Sequence, residues 1–219
     1  APAWDRYMTD VHTAPRENGL DGDGRTVRVP LVDGGAHPTV HLINADGIAR
    51  LPAQALLINA ARGGVVDELA VRRRIESGVL LSAAIDCWDG EPEPSAAMLS
   101  GAWRATTHIA GHTLEARLNA VRMQQQQLAE WAGVELPQPP QPEPNLNTAI
   151  NAQTSTLASI LESIHPLKLH TSRLIALTEL APAARAGAFD RLRRDHGLRR
   201  EFSSYSVARA GLDTDTVAQ

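Results

Sequence analysis

The chain has 219 residues, 43% hydrophobic and 21% charged, and a formal charge of −4. That balance is ordinary for a globular protein and gives no basic field to draw nucleic acid or an anionic membrane. One cysteine, Cys87, excludes an internal disulfide and points to a reducing compartment. No apolar run reaches the roughly 20 residues that span a bilayer. The opening Ala1-Pro2-Ala3-Trp4-Asp5-Arg6 lacks the basic-then-apolar plan of a signal peptide. The expectation is a soluble cytoplasmic protein.

Residues 1–26 are polar, glycine-dense and without period, which predicts an irregular or disordered segment. Residues 27–136 alternate short apolar runs with helical stretches, the pattern of βαβ units and a parallel sheet. Ala55-Leu56-Leu57-Ile58-Asn59 reads as a buried strand, ended by Ala60-Ala61-Arg62-Gly63-Gly64. Asp67 is a good N-cap for a helix carrying Leu69, Val71 and Ile75 near helical spacing, with Gly78 as its stop. A second strand covers 81–87, and the loop Gly90-Glu91-Pro92-Glu93-Pro94 follows it. Thr106-Thr107-His108-Ile109-Ala110-Gly111 precedes a long helix over 114–131 that ends at Gly133.

The proline-dense stretch 137–144 favours stiff, extended backbone and is read as a linker. Beyond it, 145–219 is expected to hold a helix near 154–164, a second, arginine-studded one near 183–196, and an alternating strand at 201–207. Together they form a small α+β module. The Gln124–Gln127 run is a solvated helix face.

Taking a hydride from a secondary alcohol needs a base for the hydroxyl proton, a cation for the neighbouring carboxylate and a hydride acceptor facing the carbon. Histidine suits the first role because it titrates near neutrality, and a carboxylate beside it orients the ring. Arginine suits the second through its bidentate fork. Arg62, Glu91 and His108 each follow a predicted strand, and residues after the strands of a parallel sheet converge on one edge. Singly, each has an ordinary reading: a capping cation, a loop carboxylate, a structural histidine. A metal site at His37 and His41 is disfavoured, because Pro38 breaks the helix that spacing requires.

Asn59-Ala60-Ala61-Arg62-Gly63-Gly64-Val65-Val66-Asp67-Glu68, Asp86-Cys87-Trp88-Asp89-Gly90-Glu91-Pro92 and His108-Ile109-Ala110-Gly111 resemble, in order and separation, the three signatures of the D-2-hydroxy-acid dehydrogenases. The resemblance implies a partial Rossmann-type doubly wound parallel sheet, α/β in class, with NAD as cofactor. It implies Arg62 as carboxylate anchor, His108 as acid–base and Glu91 as its partner. Asp86 would lie near the nicotinamide, with Ala60, Ala61, Arg62 and Gly111 lining the cofactor and His112 joining Arg62 against substrate.

Pro30-Leu31-Val32-Asp33-Gly34-Gly35-Ala36-His37-Pro38-Thr39-Val40-His41-Leu42, the run from Gly111 to Arg117, and Phe189-Asp190-Arg191-Leu192-Arg193-Arg194-Asp195-His196 are similar to the erythronate-4-phosphate dehydrogenase branch. That branch implies a phosphorylated 2-hydroxy acid as substrate, a role in pyridoxine biosynthesis, and a homodimer formed through 145–219.

Some features depart from the resemblance. No Gly-x-Gly-x-x-Gly turn occurs; Gly22 and Gly24 lack the third glycine. The acidic residue that would hold the ribose, and with it the choice of NAD over NADP, is likewise not found. Arg28-Val29 and His112 stand where the branch would have other residues. The reading expects a chain cut at both ends, with the 145–219 module truncated. Two alternatives stay open: a non-catalytic remnant or dimerisation module, and another D-2-hydroxy-acid dehydrogenase such as one acting on phosphoglycerate.

Overall fold

The computed structural model describes residues 24–79, 81–137 and 156–205. Four parallel strands form one sheet in the order β1 (Gly24–Val27), β2 (Ala55–Asn59), β3 (Leu81–Ile85) and β4 (Arg104–Ala105). Helices α1 (Ala45–Arg50), α2 (Glu68–Glu76) and α3 (Ala96–Gly101) make the crossovers. Sequential parallel strands joined by helices are the expected α/β architecture.

Both central strands alternate buried with half-buried positions. Ala55, Leu57 and Asn59 on β2, and Leu81, Ala83 and Ile85 on β3, are the buried set. A side chain as fully enclosed as Leu57 contributes roughly 2 kcal/mol of burial free energy. In register, Asn59 pairs with Ile85 and Val27 with Asn59, so the three strands end level. That alignment brings the loops after them to one edge.

The helix punctuation follows the sequence. The Asp67 side chain caps α2 by accepting from the Ala70 amide at 2.9 Å, and Gly78 takes φ +80° just beyond its end. Asn44 caps α1 in the same way. The Arg74 guanidinium of α2 donates to the carbonyls of Ile48, Ala49, Leu51 and Pro52, satisfying the open C-terminal end of α1.

Compactness divides the chain into two units. The sheet unit also takes in Leu167–Asp195, whose elements are α6 (Leu167–Ile175), a 3-10 turn at Ala176–Glu179 and α7 (Pro182–Asp195). Leu174, Leu177 and Phe189 enter its apolar core beside Leu99 and Met98. The Thr171 hydroxyl accepts from the Ala105 amide at 3.0 Å, which extends the short strand β4. The second unit holds α4 (Leu114–Ala132), α5 (Leu157–Ile164) and a 3-10 turn at Phe202–Ser204. Thr113 caps α4, and Gly133 ends it at φ +65°. In this unit Glu115 accepts from the Arg200 Nε at 2.5 Å, the Ser204 hydroxyl at 2.6 Å and the Glu201 amide at 3.0 Å. Burial alone would raise its carboxyl, but those bonds together outweigh that effect and hold it at about 2.

Two expectations are corrected. Residues 24–26, read as irregular, form β1 with Val27, paired along its length to β2. Gly-Arg-Thr-Val carries little apolar signal, and backbone pairing to a strong neighbour makes it a strand. The strand expected from 201 is instead a 3-10 turn through Ser204, held by the Glu115 carboxylate. Most of the expected linker, the start of the module after it, and residues 206–219 lie outside the described residues. No described helix is long and apolar enough to cross a membrane.

Candidate active site

Asn59, the last residue of β2, is fully buried and organises the strand edge. Its amide nitrogen donates to the Arg62 carbonyl at 3.1 Å and the Cys87 carbonyl at 3.2 Å, and its side-chain oxygen accepts from the Ala61 amide at 3.2 Å. One side chain thus fixes the loops after β2 and β3 together. They touch again at Gly63, where an added Cβ would lie 1.8 Å from the Trp88 carbonyl oxygen. Only glycine fits this approach.

Asp86, directly after β3, is buried. Its Oδ1 accepts from the Thr106 hydroxyl at 2.6 Å and the Ile109 amide at 2.7 Å. Its own carbonyl accepts from the His108 amide at 2.8 Å. The turn around His108, which sits at φ +57°, is therefore held by Asp86. The Trp88 indole donates to the Thr106 carbonyl at 2.7 Å and ties the same two loops.

Glu91 and His108 meet. Nδ1 of His108 lies 2.8 Å from Oε2 of Glu91, and Oε1 of Glu91 accepts from the Trp88 amide at 2.7 Å. Side-chain exposures of 25% and 20% leave the pair open on one side. An ionised carboxylate can only accept, so the bond assigns the proton to Nδ1 and leaves Nε2 as the basic nitrogen. Arg62 is exposed at the end of the adjacent loop, where its Nη1 donates to the Ala61 carbonyl at 2.7 Å. Among the described residues it forms no ion pair with a carboxylate. Ala60 and the buried Ala61 line the same loop.

The sheet unit thus brings together Ala60, Ala61, Arg62, Asp86, Glu91 and His108. Gly111 and His112 belong to the other unit. There a Cβ on Gly111 would meet nothing within 4 Å, and Nε2 of His112 is bonded by the Arg117 guanidinium.

Three further residues emerge only from the structure. Asn59 lay inside a quoted signature without a role. Cys87 is a buried thiol that donates to the Ala61 carbonyl at 3.4 Å. Burial first, then the charges of Asp86 and Glu91, push it up to about 12, so it stays protonated and is no nucleophile near neutrality. Glu68, the first residue of α2, accepts from the Asp89 amide at 2.8 Å. Burial, aided by the nearby charges of Asp89 and Glu91, pushes it up to about 7.

The donor set at this edge fits the nicotinamide end of a dinucleotide: an anchored carboxylate at Asp86, small side chains at Ala60 and Ala61, and the bonded Glu91–His108 pair in the same unit. Among the described residues no helix opens from a Gly-x-Gly-x-x-Gly turn, so the fit extends to that end and not to a pyrophosphate cradle.

Residues 29–110 match the NAD-binding domain of the D-isomer-specific 2-hydroxyacid dehydrogenases. The chain is 33% identical over 204 residues to an erythronate-4-phosphate dehydrogenase of Marinobacter nauticus, covering 90% of this chain and 53% of that protein. It is 31% identical over 210 residues to that of Hahella chejuensis, covering 92% and 55%. The chain thus spans about half the length of the curated relatives it matches. A solved D-lactate dehydrogenase from Sporolactobacillus aligns with 57% of this chain and 42% of its own, at 29% identity and a TM-score of 0.45. On the domain match and the relatives together, this chain is similar to the D-isomer-specific 2-hydroxyacid dehydrogenases.

Proposed function

We propose that the site formed by Arg62, Glu91 and His108 serves the NAD-dependent oxidation of 4-phospho-D-erythronate to its 2-oxo acid, a step of pyridoxal phosphate biosynthesis. The observation that carries this reading is the bond between Glu91 and Nδ1 of His108, beside an arginine with no carboxylate partner among the described residues. The substrate assignment is supported by the names of the relatives.

Nε2 of His108 accepts the C2 hydroxyl proton, and Glu91 stabilises the imidazolium that results. The guanidinium of Arg62 turns from the Ala61 carbonyl to grip the substrate carboxylate bidentately. Ala60, Ala61 and Asp86 would hold the nicotinamide end of NAD, which would supply the hydride acceptor for C2. Burial of Asp86 and Ala61 keeps water from the floor of the site. The same proposal takes the protein to be cytoplasmic and homodimeric through residues 145–219, and assigns Gly111 a cofactor role and His112 a substrate role.

The test is the appearance of reduced nicotinamide when the chain is mixed with NAD and 4-phospho-D-erythronate, with 3-phosphoglycerate as the competing substrate. Turnover of the erythronate that falls at least about 100-fold in His108→Gln supports the proposal. Equal rates in the two proteins, or preference for 3-phosphoglycerate, overturn it.

A further inference from the structure

We infer that Glu68 is a positioning residue for the Glu91–His108 pair, acting as the acceptor that fixes the Asp89 amide and hence the loop from which Glu91 reaches the histidine ring. The inference rests on the reading of that pair as the acid–base of the site.

The loop after β3 runs Cys87-Trp88-Asp89-Gly90-Glu91 and reverses at Gly90, whose φ is +74° and whose carbonyl accepts from the Glu93 amide at 2.9 Å. Within it, the Trp88 amide is spent on Glu91 Oε1 at 2.7 Å. The next amide, Asp89, goes to Glu68 Oε1 at 2.8 Å. Among the described residues Glu68 is the one side chain outside the loop that accepts from a loop amide. Successive amides therefore grip two carboxylates: one aims Glu91 at His108, and the other ties the backbone between them to the start of α2. Without that tie, Gly90 leaves the loop a soft joint next to the residue that orients the base.

A helix N-terminus favours an acid at this place, but solvent-facing acids would serve as well. Glu68 is instead 8% exposed, at the cost of lost hydration. It faces Asp89 and Glu91 from the loop, and burial and those two charges hold it up to about 7. The packed elements β3 and α3 carry no ionisable residue, while α1 carries Asp46 and Arg50. A buried acid repelled by its neighbours earns no stability from its charge; its acceptor oxygen is what the site uses.

Two substitutions separate reach from charge. Glu68→Gln keeps the acceptor oxygen at full length and removes the charge. Glu68→Asp keeps the charge and withdraws the oxygen by one methylene. The first readout is the downfield proton resonance of His108 Nδ1–H in the full chain, assigned by its loss in His108→Gln, and needs no turnover. The second is kcat against KM. The expected result is a sharp resonance in wild type and in Glu68→Gln, and one broadened by solvent exchange in Glu68→Asp. Glu68→Gln then keeps kcat within about twofold, while Glu68→Asp lowers it by about tenfold or more with KM little changed. The opposite order, a resonance preserved in Glu68→Asp and lost in Glu68→Gln, or no change in either, overturns the inference. A wild-type protein without turnover sinks the proposed reaction, while the resonance still decides the role of Glu68.

Discussion

His108 and Glu91 lie 2.8 Å apart through Nδ1 and Oε2, and the second oxygen of the same carboxylate is held 2.7 Å from the Trp88 amide. The carboxylate is thus held through both oxygens, one on the ring and one on the backbone. Its orientation, and with it the tautomer of the histidine, is set by the Trp88 amide of its own loop. In the proposed acid–base role, a pair prepared in this way loses little entropy at the moment of reaction.

Glu91→Gln keeps the shape of the pair but presents an amide that can donate to Nδ1, moving the ring proton to Nε2 and removing the base. We expect kcat to fall by roughly 100-fold or more with KM changed only slightly. Steady-state rates with nicotinamide absorbance as the signal check this, and a variant within about fivefold of wild type would rule the tautomer argument out.

Arg62→Ala removes the carboxylate fork, and Arg62→Lys leaves one charge without the bidentate geometry. The expected loss in kcat/KM is about 100-fold or more for alanine, with lysine recovering only part of it. Full recovery by lysine would mean that charge alone, and not the fork, is what the substrate meets.

Gly63→Ala places a Cβ against the Trp88 carbonyl, 1.8 Å away before relaxation, and backbone lies on both sides. The loops after β2 and β3 must part, at a cost of roughly 2–4 kcal/mol. Thermal unfolding should show a drop of several degrees, and the His108 resonance should broaden because Trp88 moves with Glu91. A variant as stable as wild type would contradict this close approach of the two loops.

Glu68 gives a pH signature of defined sign. Its carboxyl is raised in the folded chain to about 7 from an ordinary value of 4.5, so across that window the native state holds a proton that the unfolded chain has released. Stability therefore falls as pH rises from 4.5 towards 7 and levels off above. Glu68→Gln removes this dependence and should be more stable than wild type on the alkaline side by roughly 1–3 kcal/mol. Glu115, held at about 2, acts in the other direction: its contribution is complete above 4.5 and is lost as pH falls towards 2. Urea unfolding of wild type and Glu68→Gln at several pH values measures both. Parallel curves for the two proteins would show that Glu68 titrates normally.

The sheet and its edge were readable in the sequence where local pattern and tertiary demand agree. The 55–59 run, the Asp67 cap and the glycines at 78 and 133 each carry their own physical signal, and the structure uses each as read. Arg62, Glu91 and His108 follow successive strands, but each alone has an ordinary reading, and it is the resemblance of the segments around them that singles them out. β1 was not legible, since Gly-Arg-Thr-Val becomes a strand only by pairing with β2. Nor was the docking of Leu174 and Phe189 into the sheet core, a contact across a long stretch of sequence. Glu68 looked like an ordinary first-turn acid, and Asn59 like the end of a strand. Their roles come from the partners, Asp89 and the carbonyls of Arg62 and Cys87, that the fold brings to them.

The most direct test of the central claim, that this strand edge holds a nicotinamide beside Arg62 and His108, is titration of the chain with NADH. The signal is energy transfer from tryptophan, with Trp88 buried at the edge itself. The account predicts saturable transfer with a Kd on the order of micromolar to hundreds of micromolar. It also predicts that 4-phospho-D-erythronate perturbs that signal in wild type and not in Arg62→Ala. A folded chain that shows no transfer up to roughly millimolar NADH would contradict it.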